Sequence, residues 1–224
     1  MSSDSIRLAS LGLGWWSDVL ADAVLRAPGV EIASCFSRSE DKRKTFAEKY
    51  NCNAANSYEE ILNDTHIDGI INTTPNNVHL ETTSQAAVAG KHVFLDKPIA
   101  NSVAEGMEIT RICKEAGVKL SIGFQRRREN QFRWINKSIQ DGIFGVLVQA
   151  EANISRDRLG TFESGHWRYS SEGMPGGVML QIGPHYVDVL DMLIGPVVDV
   201  TGIFCHIVLP GNNTDVGGAG SKHK

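Results

Sequence analysis

Over the first 123 residues, short continuous apolar runs alternate with segments whose apolar positions recur every three or four residues. That alternation is the signature of parallel strands covered by helices. Residues 6–13 make one apolar run containing small residues, as a strand buried on both faces requires. Residues 16–26 follow with Val19, Leu20, Ala23, Val24 and Ala27 at helical spacing, and Pro28-Gly29 stops that helix before a second strand at 30–37. Residues 40–50 predict a charged amphipathic helix with Phe46 and Ala47 inward, and 58–63 a short one. Next come a strand at 69–73, a helix at 79–89 closed by Gly90 and a strand at 92–95. A helix at 103–116 closed by Gly117 leads into a strand at 119–123.

After Gly123 the strict alternation is lost, which places a domain boundary there: 1–123, then 124–210, then a Gly/Asn/Ser/Lys-rich tail at 211–224 expected to be disordered. In the second part, 132–140 and 187–193 predict helices, 146–155 and 198–209 predict strands, and 156–175 predicts a polar loop.

Composition adds exclusions. With 42% hydrophobic and 21% charged residues the chain is of globular type, and 22 Lys plus Arg against 26 Asp plus Glu leave a net charge of −4. No positive field exists to collect nucleic acid or anionic lipid. The apolar runs at 178–182 and 203–209 fall far short of the roughly 20 residues of a membrane helix. The start, Met1-Ser2-Ser3-Asp4-Ser5, lacks a basic-then-apolar signal, so the expected location is the cytoplasm. Cys35, Cys52, Cys113 and Cys205 are scattered, without C-x-x-C spacing, and no metal site is expected.

Candidate chemistry gathers where the predicted strands end. Gly12-Leu13-Gly14, between the first strand and the first helix, is the beginning of a dinucleotide fingerprint, with Ser17 in the third glycine's place. A bare G-x-G also suits an ordinary tight turn. Ser37-Arg38-Ser39 ends the second strand, where an acidic residue would favour NAD; an arginine with hydroxyls favours a 2′-phosphate, hence NADP, unless it is merely solvated. Thr73-Thr74-Pro75-Asn76-Asn77 and Asp96-Lys97-Pro98 end two further strands. Later, Gly176-Gly177 precedes Gln181-Ile182-Gly183-Pro184-His185, with Asp188 three residues on. Gln181 and His185 share a face if one helix includes both, although Gly183-Pro184 suggests a helix starting at Pro184. A histidine near neutral pH is the usual proton shuttle, and at a helix start it is equally a cap or packed residue.

Taken together, G-x-G-x-x-S, the segment from Thr73 to His79, D-K-P at Asp96 to Pro98 and G-G-x-x-x-Q-x-G-P-H-x-x-D from Gly176 to Asp188 resemble the Gfo/Idh/MocA oxidoreductases, over about residues 6–209. The resemblance implies an α/β fold: an N-terminal Rossmann domain with a doubly wound parallel sheet, then an α+β domain, here truncated, with an open and mostly antiparallel sheet. It implies NAD or NADP at Gly12, Gly14, Trp15, Trp16, Ser37, Arg38, Thr74, Pro75, Asn77, His79, Asp96 and Lys97. Lys97 matches the lysine of the family's E-K-P motif, with Asp96 in place of Glu, and His185 matches the acid–base histidine. The implied reaction is oxidation of a secondary alcohol of a sugar, cyclic polyol or dihydrodiol, in a homo-oligomer, dimer or tetramer. Gln125, Arg126, Trp167 and Arg168 are the candidate substrate contacts beside Gln181 and His185. Gln181 replaces a frequent Asp of the family and cannot take a proton, and the chain ends after two strands of a domain that elsewhere has more. These departures keep two alternatives open, a catalytically silent dinucleotide-binding or regulatory protein and a subunit completed by a partner. The ending at 217–224 resembles an artificial terminus.

Overall fold

Strands β1 (Ile6–Leu11), β2 (Val30–Phe36), β3 (Asn53–Ala54), β4 (Gly69–Asn72), β5 (His92–Leu95) and β6 (Leu120–Ile122) form one sheet in the order β3-β2-β1-β4-β5-β6. Every pairing is parallel. The computed structural model describes residues 5–154 and 172–202, and the chain divides into two units, Met1–Gly123 and Phe124–Lys224. The sheet belongs to the first.

Helices α1 (Trp15–Leu25), α2 (Glu40–Tyr50), α3 (Tyr58–Asn63), α4 (His79–Val88) and α5 (Val103–Glu115) fill the connections. Successive residues of a strand face opposite sides, and β4, buried throughout, divides its isoleucines accordingly. Ile70 joins a core with Ile61, Leu95 and Ile109, and Ile71 joins another with Ile32, Phe46 and Tyr50. Both faces are thus covered, which explains why the strands read as apolar runs without alternation.

Local chemistry sets the helix ends. Ser39 and Ser57 each accept a hydrogen bond from the backbone N–H three residues on, at 3.4 and 3.1 Å. Ser102 and Glu105 form a reciprocal capping box. Between α1 and α2, the Tyr50 hydroxyl lies 3.0 Å from Asp18 Oδ1 and Asp22 Oδ1, and Lys49 pairs with Asp18 at 3.0 Å. The acidic residue in the first turn of α1 is thereby neutralised by its neighbour helix.

From β1 the chain order runs outward in both directions, to β2 and β3 on one side and to β4, β5 and β6 on the other. The crevice at the C-terminal ends of β1 and β4 is therefore the topological switch point, the usual ligand position in such sheets. Gly12 makes that crevice possible: its φ is +83°, and a Cβ there would stand 2.8 Å from Thr74 N and 2.9 Å from Thr73 C and O.

In the second unit, α6 (Asn130–Gln140), α7 (Gly177–Gln181) and α8 (Gly183–Ile194) are helical, with α6 packed on α8. The strands expected at 146–155 and 198–209 require correction: 146–154 and 198–202 carry no strand, and the remainder of both ranges lies outside the described residues. Val146, Val148, Val198 and Val200 are exposed. A β-branched run reads as a strand, but it becomes one only beside a neighbour that takes its backbone hydrogen bonds, and no strand pairs with it among the described residues. The expected antiparallel sheet is likewise not among them. The two-residue β3 escaped the sequence reading because it is too short to carry a pattern.

Gly12→Ala should destabilise the chain by about 1–3 kcal/mol from backbone strain and by a comparable amount from overpacking. Gly14→Ala, whose Cβ meets nothing within 4 Å, should cost only the poorer N-cap, about 0.5–1 kcal/mol. Urea denaturation of the two variants measures the contrast.

Candidate functional site

Four strand ends supply the site in the first unit. At β1, Gly14 is the N-cap of α1 and carries no capping side chain, and its carbonyl accepts from Ser17 N at 3.1 Å and Ser17 Oγ at 2.6 Å. Ser17, in the third position of the glycine motif, is buried and bonds within the turn. Trp15 is exposed, its ring 5.5 Å from that of Trp16. Among the described residues, Trp16 Nε1 is buried with no hydrogen-bond partner, a donor left over where an acceptor belongs.

At β2, Arg38 is exposed and Ser37 half-buried. The loop is anchored by a residue that the sequence reading did not single out. Arg43 Nη1 donates to Ser37 O at 2.7 Å, and its guanidinium lies over the Phe36 ring at 5.5 Å. Its signal is spacing: five residues past Arg38, Arg43 stands at the end of the first turn of α2.

At β4, the Thr73 hydroxyl donates to Gly12 O at 2.5 Å, stitching β4 to the first turn. Buried Asn72 accepts from Thr74 Oγ1 at 2.7 Å and donates to Thr82 Oγ1 at 2.8 Å. Asn77 is exposed, and Pro75 and Thr74 are half-buried. His79 needs a correction. Expected at the cofactor, its side chain is fully buried, with Nε2 2.9 Å from Thr74 O and Nδ1 3.0 Å from Pro98 O. The ring meets backbone carbonyls and leaves no surface for a ligand. Burial pulls its pKa below the ordinary imidazole value, against the opposing effects of the Thr74 and Pro98 carbonyls and the Asp96 carboxylate.

At β5, Asp96 N donates to Asn72 O at 2.9 Å, and both Asp96 and Lys97 are half-buried. The structure therefore gathers Gly12, Gly14, Trp15, Trp16, Ser37, Arg38, Thr74, Pro75, Asn77, Asp96 and Lys97 on the loops at the carboxyl edge of one sheet. A dinucleotide fits this edge on three observations: the open space beside Gly14, the uncapped start of α1 and the unused Trp16 donor.

The second unit holds its own candidates. A helix break at Ile182 separates Gln181, the last residue of α7, from His185 in the first turn of α8, which starts at Gly183 rather than Pro184. The His185 ring stands edge-on to Phe124 at 6.4 Å. Arg126 lies over the Tyr186 ring at 4.9 Å, with Glu129 at 3.6 Å. Gln125 is exposed, and Trp167 and Arg168 lie outside the described residues. Asp188 is committed to Arg127, whose Nε donates to both carboxylate oxygens at 2.7 Å. Among the described residues no group of three or more His, Cys, Asp or Glu is placed to hold a metal, and no helix is long and apolar enough to cross a membrane.

Residues 6–124 match the oxidoreductase family with an NAD-binding Rossmann fold, and residues 132–218 match the GFO/IDH/MocA C-terminal domain. The chain is 30% identical over 201 residues to an uncharacterised oxidoreductase of Escherichia coli, YdgJ, covering 89% of this chain and 56% of that one. It is 30% identical over 192 residues to the scyllo-inositol 2-dehydrogenase (NADP(+)) IolW of Bacillus subtilis, covering 83% and 51%. The solved WlbA dehydrogenase of Chromobacterium violaceum, in complex with NADH and UDP-GlcNAcA, superposes with a TM-score of 0.79 at 27% identity, covering 88% and 57%. The chain spans about half the length of the curated relatives it matches.

His79 predicts a pH dependence with a defined sign. Its folded pKa is lowered, so the unfolded chain binds the extra proton first, and the stability of the neutral buried ring is complete above the unfolded value of 6.5 and declines as pH falls below it. Urea midpoints measured from about pH 7.5 to 5.5 should fall, by about 1.4 kcal/mol for each unit of downward shift, and the slope should flatten in His79→Gln.

Proposed function

Because the chain belongs to the Gfo/Idh/MocA oxidoreductases, we propose that it is an NAD(P)-dependent dehydrogenase acting on a secondary alcohol of a sugar, cyclic polyol or dihydrodiol, with NADP preferred. The observation that carries this reading is the turn at the switch point. Gly12 closes against β4 while Gly14 leaves open space at the uncapped start of α1, an arrangement suited to a pyrophosphate. The relative named as an NADP(+)-dependent inositol dehydrogenase supports the substrate and cofactor classes.

In this reading Gly12, Gly14, Trp15 and Trp16 hold the pyrophosphate, and Ser37 and Arg38 take the 2′-phosphate. Thr74, Pro75, Asn77 and Asp96 line the path toward Lys97. When bound, the nicotinamide supplies the hydride chemistry. Lys97 provides positive charge where an alkoxide develops, and His185 accepts the hydroxyl proton. Gln125, Arg126, Trp167, Arg168 and Gln181 orient substrate hydroxyls. The proposed setting is the cytoplasm, as a homo-oligomer.

Gln181 favours a second reading, because an amide cannot hold charge or accept a proton beside an imidazole: a dinucleotide-binding protein that does not turn over. Titration with NADPH and NADH, followed by energy transfer from tryptophan, decides whether the nucleotide is bound, and a panel of polyols, sugars and dihydrodiols decides between the two readings. NADPH should bind in the micromolar range. Arg38→Ala should weaken NADPH about 10–100-fold, as loss of a charged hydrogen bond implies, and leave NADH unchanged; equal effects on both nucleotides would remove Arg38 from the 2′-phosphate.

Lys97→Ala should lower turnover by about 10²–10³-fold, the scale of one lost electrostatic stabiliser, with nucleotide affinity retained. Steady-state kinetics beside the nucleotide titration measures both, and unchanged turnover removes Lys97 from the chemistry.

A further inference from the structure

A fully buried histidine that can touch no ligand still stands between two of the strand-end loops. His79 opens α4, and its ring reaches outward from that helix in two directions. Nε2 lies 2.9 Å from Thr74 O, on the loop after β4. Nδ1 lies 3.0 Å from Pro98 O and 3.3 Å from Ile99 O, on the loop after β5. Both partners are carbonyls, which only accept. Thr74 is fixed in turn by Asn72, and Pro98 follows Lys97 directly.

Ordinary core packing does not require this arrangement. A neutral buried imidazole carries one N–H, so the ring donates to one of these carbonyls and its other nitrogen is held against the second by packing, whereas a leucine of similar volume would fill the space with no polar group to desolvate. What the imidazole adds is a link between two main chains past the end of the β4–β5 ladder. At the end of that ladder Asp96 N donates to Asn72 O at 2.9 Å. Beyond it, the separation between Thr74 and the segment 97–99 is spanned by the ring.

We infer that His79 is a positioning residue that fixes the Lys97 loop against the Thr74 loop, so that Lys97 is presented to the nucleotide edge in one place. The inference rests on the dehydrogenase reading for the role of Lys97, but the tie itself does not, and the test separates them. The Asp96 carboxylate acts on the ring electrostatically, and Lys97, the next residue, lies on the same loop; the titration of its amine is the readout of that loop's placement.

The lysines of the whole chain are carried as ¹³C-dimethyl amines, the Lys97 signal being identified by its loss in Lys97→Arg, and each is titrated by NMR. In His79→Leu the Lys97 titration midpoint should move by at least half a pH unit while that of Lys91, on the strand-entry side of β5, stays in place. His79→Gln, which restores amide donors, should return at least half of that shift. If His79→Leu does not fold, His79→Ala takes its place, with the same displacement of the Lys97 midpoint expected and the same return in His79→Gln. Unchanged Lys97 titration in the folded variants overturns the inference. Where turnover is measurable, His79→Leu should cost at least tenfold in kcat with the nucleotide Kd within threefold, and should cost nothing further in a Lys97→Ala background; losses that multiply independently overturn it. Failure of NADPH and NADH to bind the wild-type chain would overturn the dehydrogenase reading and leave the amine titration to judge the tie.

Discussion

The close approach of the first turn to the end of β4 governs everything at the carboxyl edge. Gly12 has a positive φ and no room for a Cβ against the Thr73–Thr74 backbone, so the chains leaving β1 and β4 stay in contact past the last residues of both strands. Thr73 then closes the contact through its hydroxyl on Gly12 O. Were the turn wider, β4 would end away from α1, and the groups at Gly14, Thr74 and Lys97 would have no common edge. The glycine is thus a requirement of the sheet first; any ligand uses a crevice that packing has already shaped.

Burial of polar groups enforces the same geometry. Asn72, His79 and Thr83 are buried at the ends of β4 and in α4, where an unpaired donor or acceptor costs about 1–3 kcal/mol. Asn72 bonds Thr74, Thr82 and Thr83, and the His79 ring lies within hydrogen-bond distance of main-chain carbonyls on two loops, donating its one N–H to one of them. Such a network has few alternative arrangements, since shifting one loop leaves several groups unsatisfied at once. Rigidity at this edge follows from desolvation more than from any single strong bond.

Much of the first unit was legible because its signals are local. The bounds of α2, α3 and β5 agree with the sequence reading to the residue, the two helices because Ser39 and Ser57 cap their starts. Strands buried on both faces declare themselves by continuous apolar content, and Ile70 and Ile71 need no alternation when each meets its own core. What failed was non-local. The valines near 146 and 198 have strand propensity, but propensity is realised only beside a partner. His79 was legible as part of a motif, and its place was not, because whether a histidine faces a ligand or two carbonyls depends on Pro98 and Ile99, nineteen and twenty residues away in sequence. Arg43 was overlooked for a similar reason: its value lies in reaching back to Ser37 O and the Phe36 ring.

The division between committed and open groups gives the functional reading its physical content. Ser17, Asn72, Thr73, His79 and Arg43 are held by protein partners, whereas Arg38 and Trp15 are exposed and the space beside Gly14 is vacant of protein atoms. Fixed groups set the distances between loops, and open ones are available to a ligand without first breaking a bond. The second unit follows the same logic within itself. Arg127 is spent on Asp188 and Asp191, joining the segment after Phe124 to α8, while the neighbouring Arg126 keeps a buried Nε without a hydrogen-bond partner among the described residues. Of two adjacent arginines, one fastens the helix that carries His185, and the other retains a donor to give.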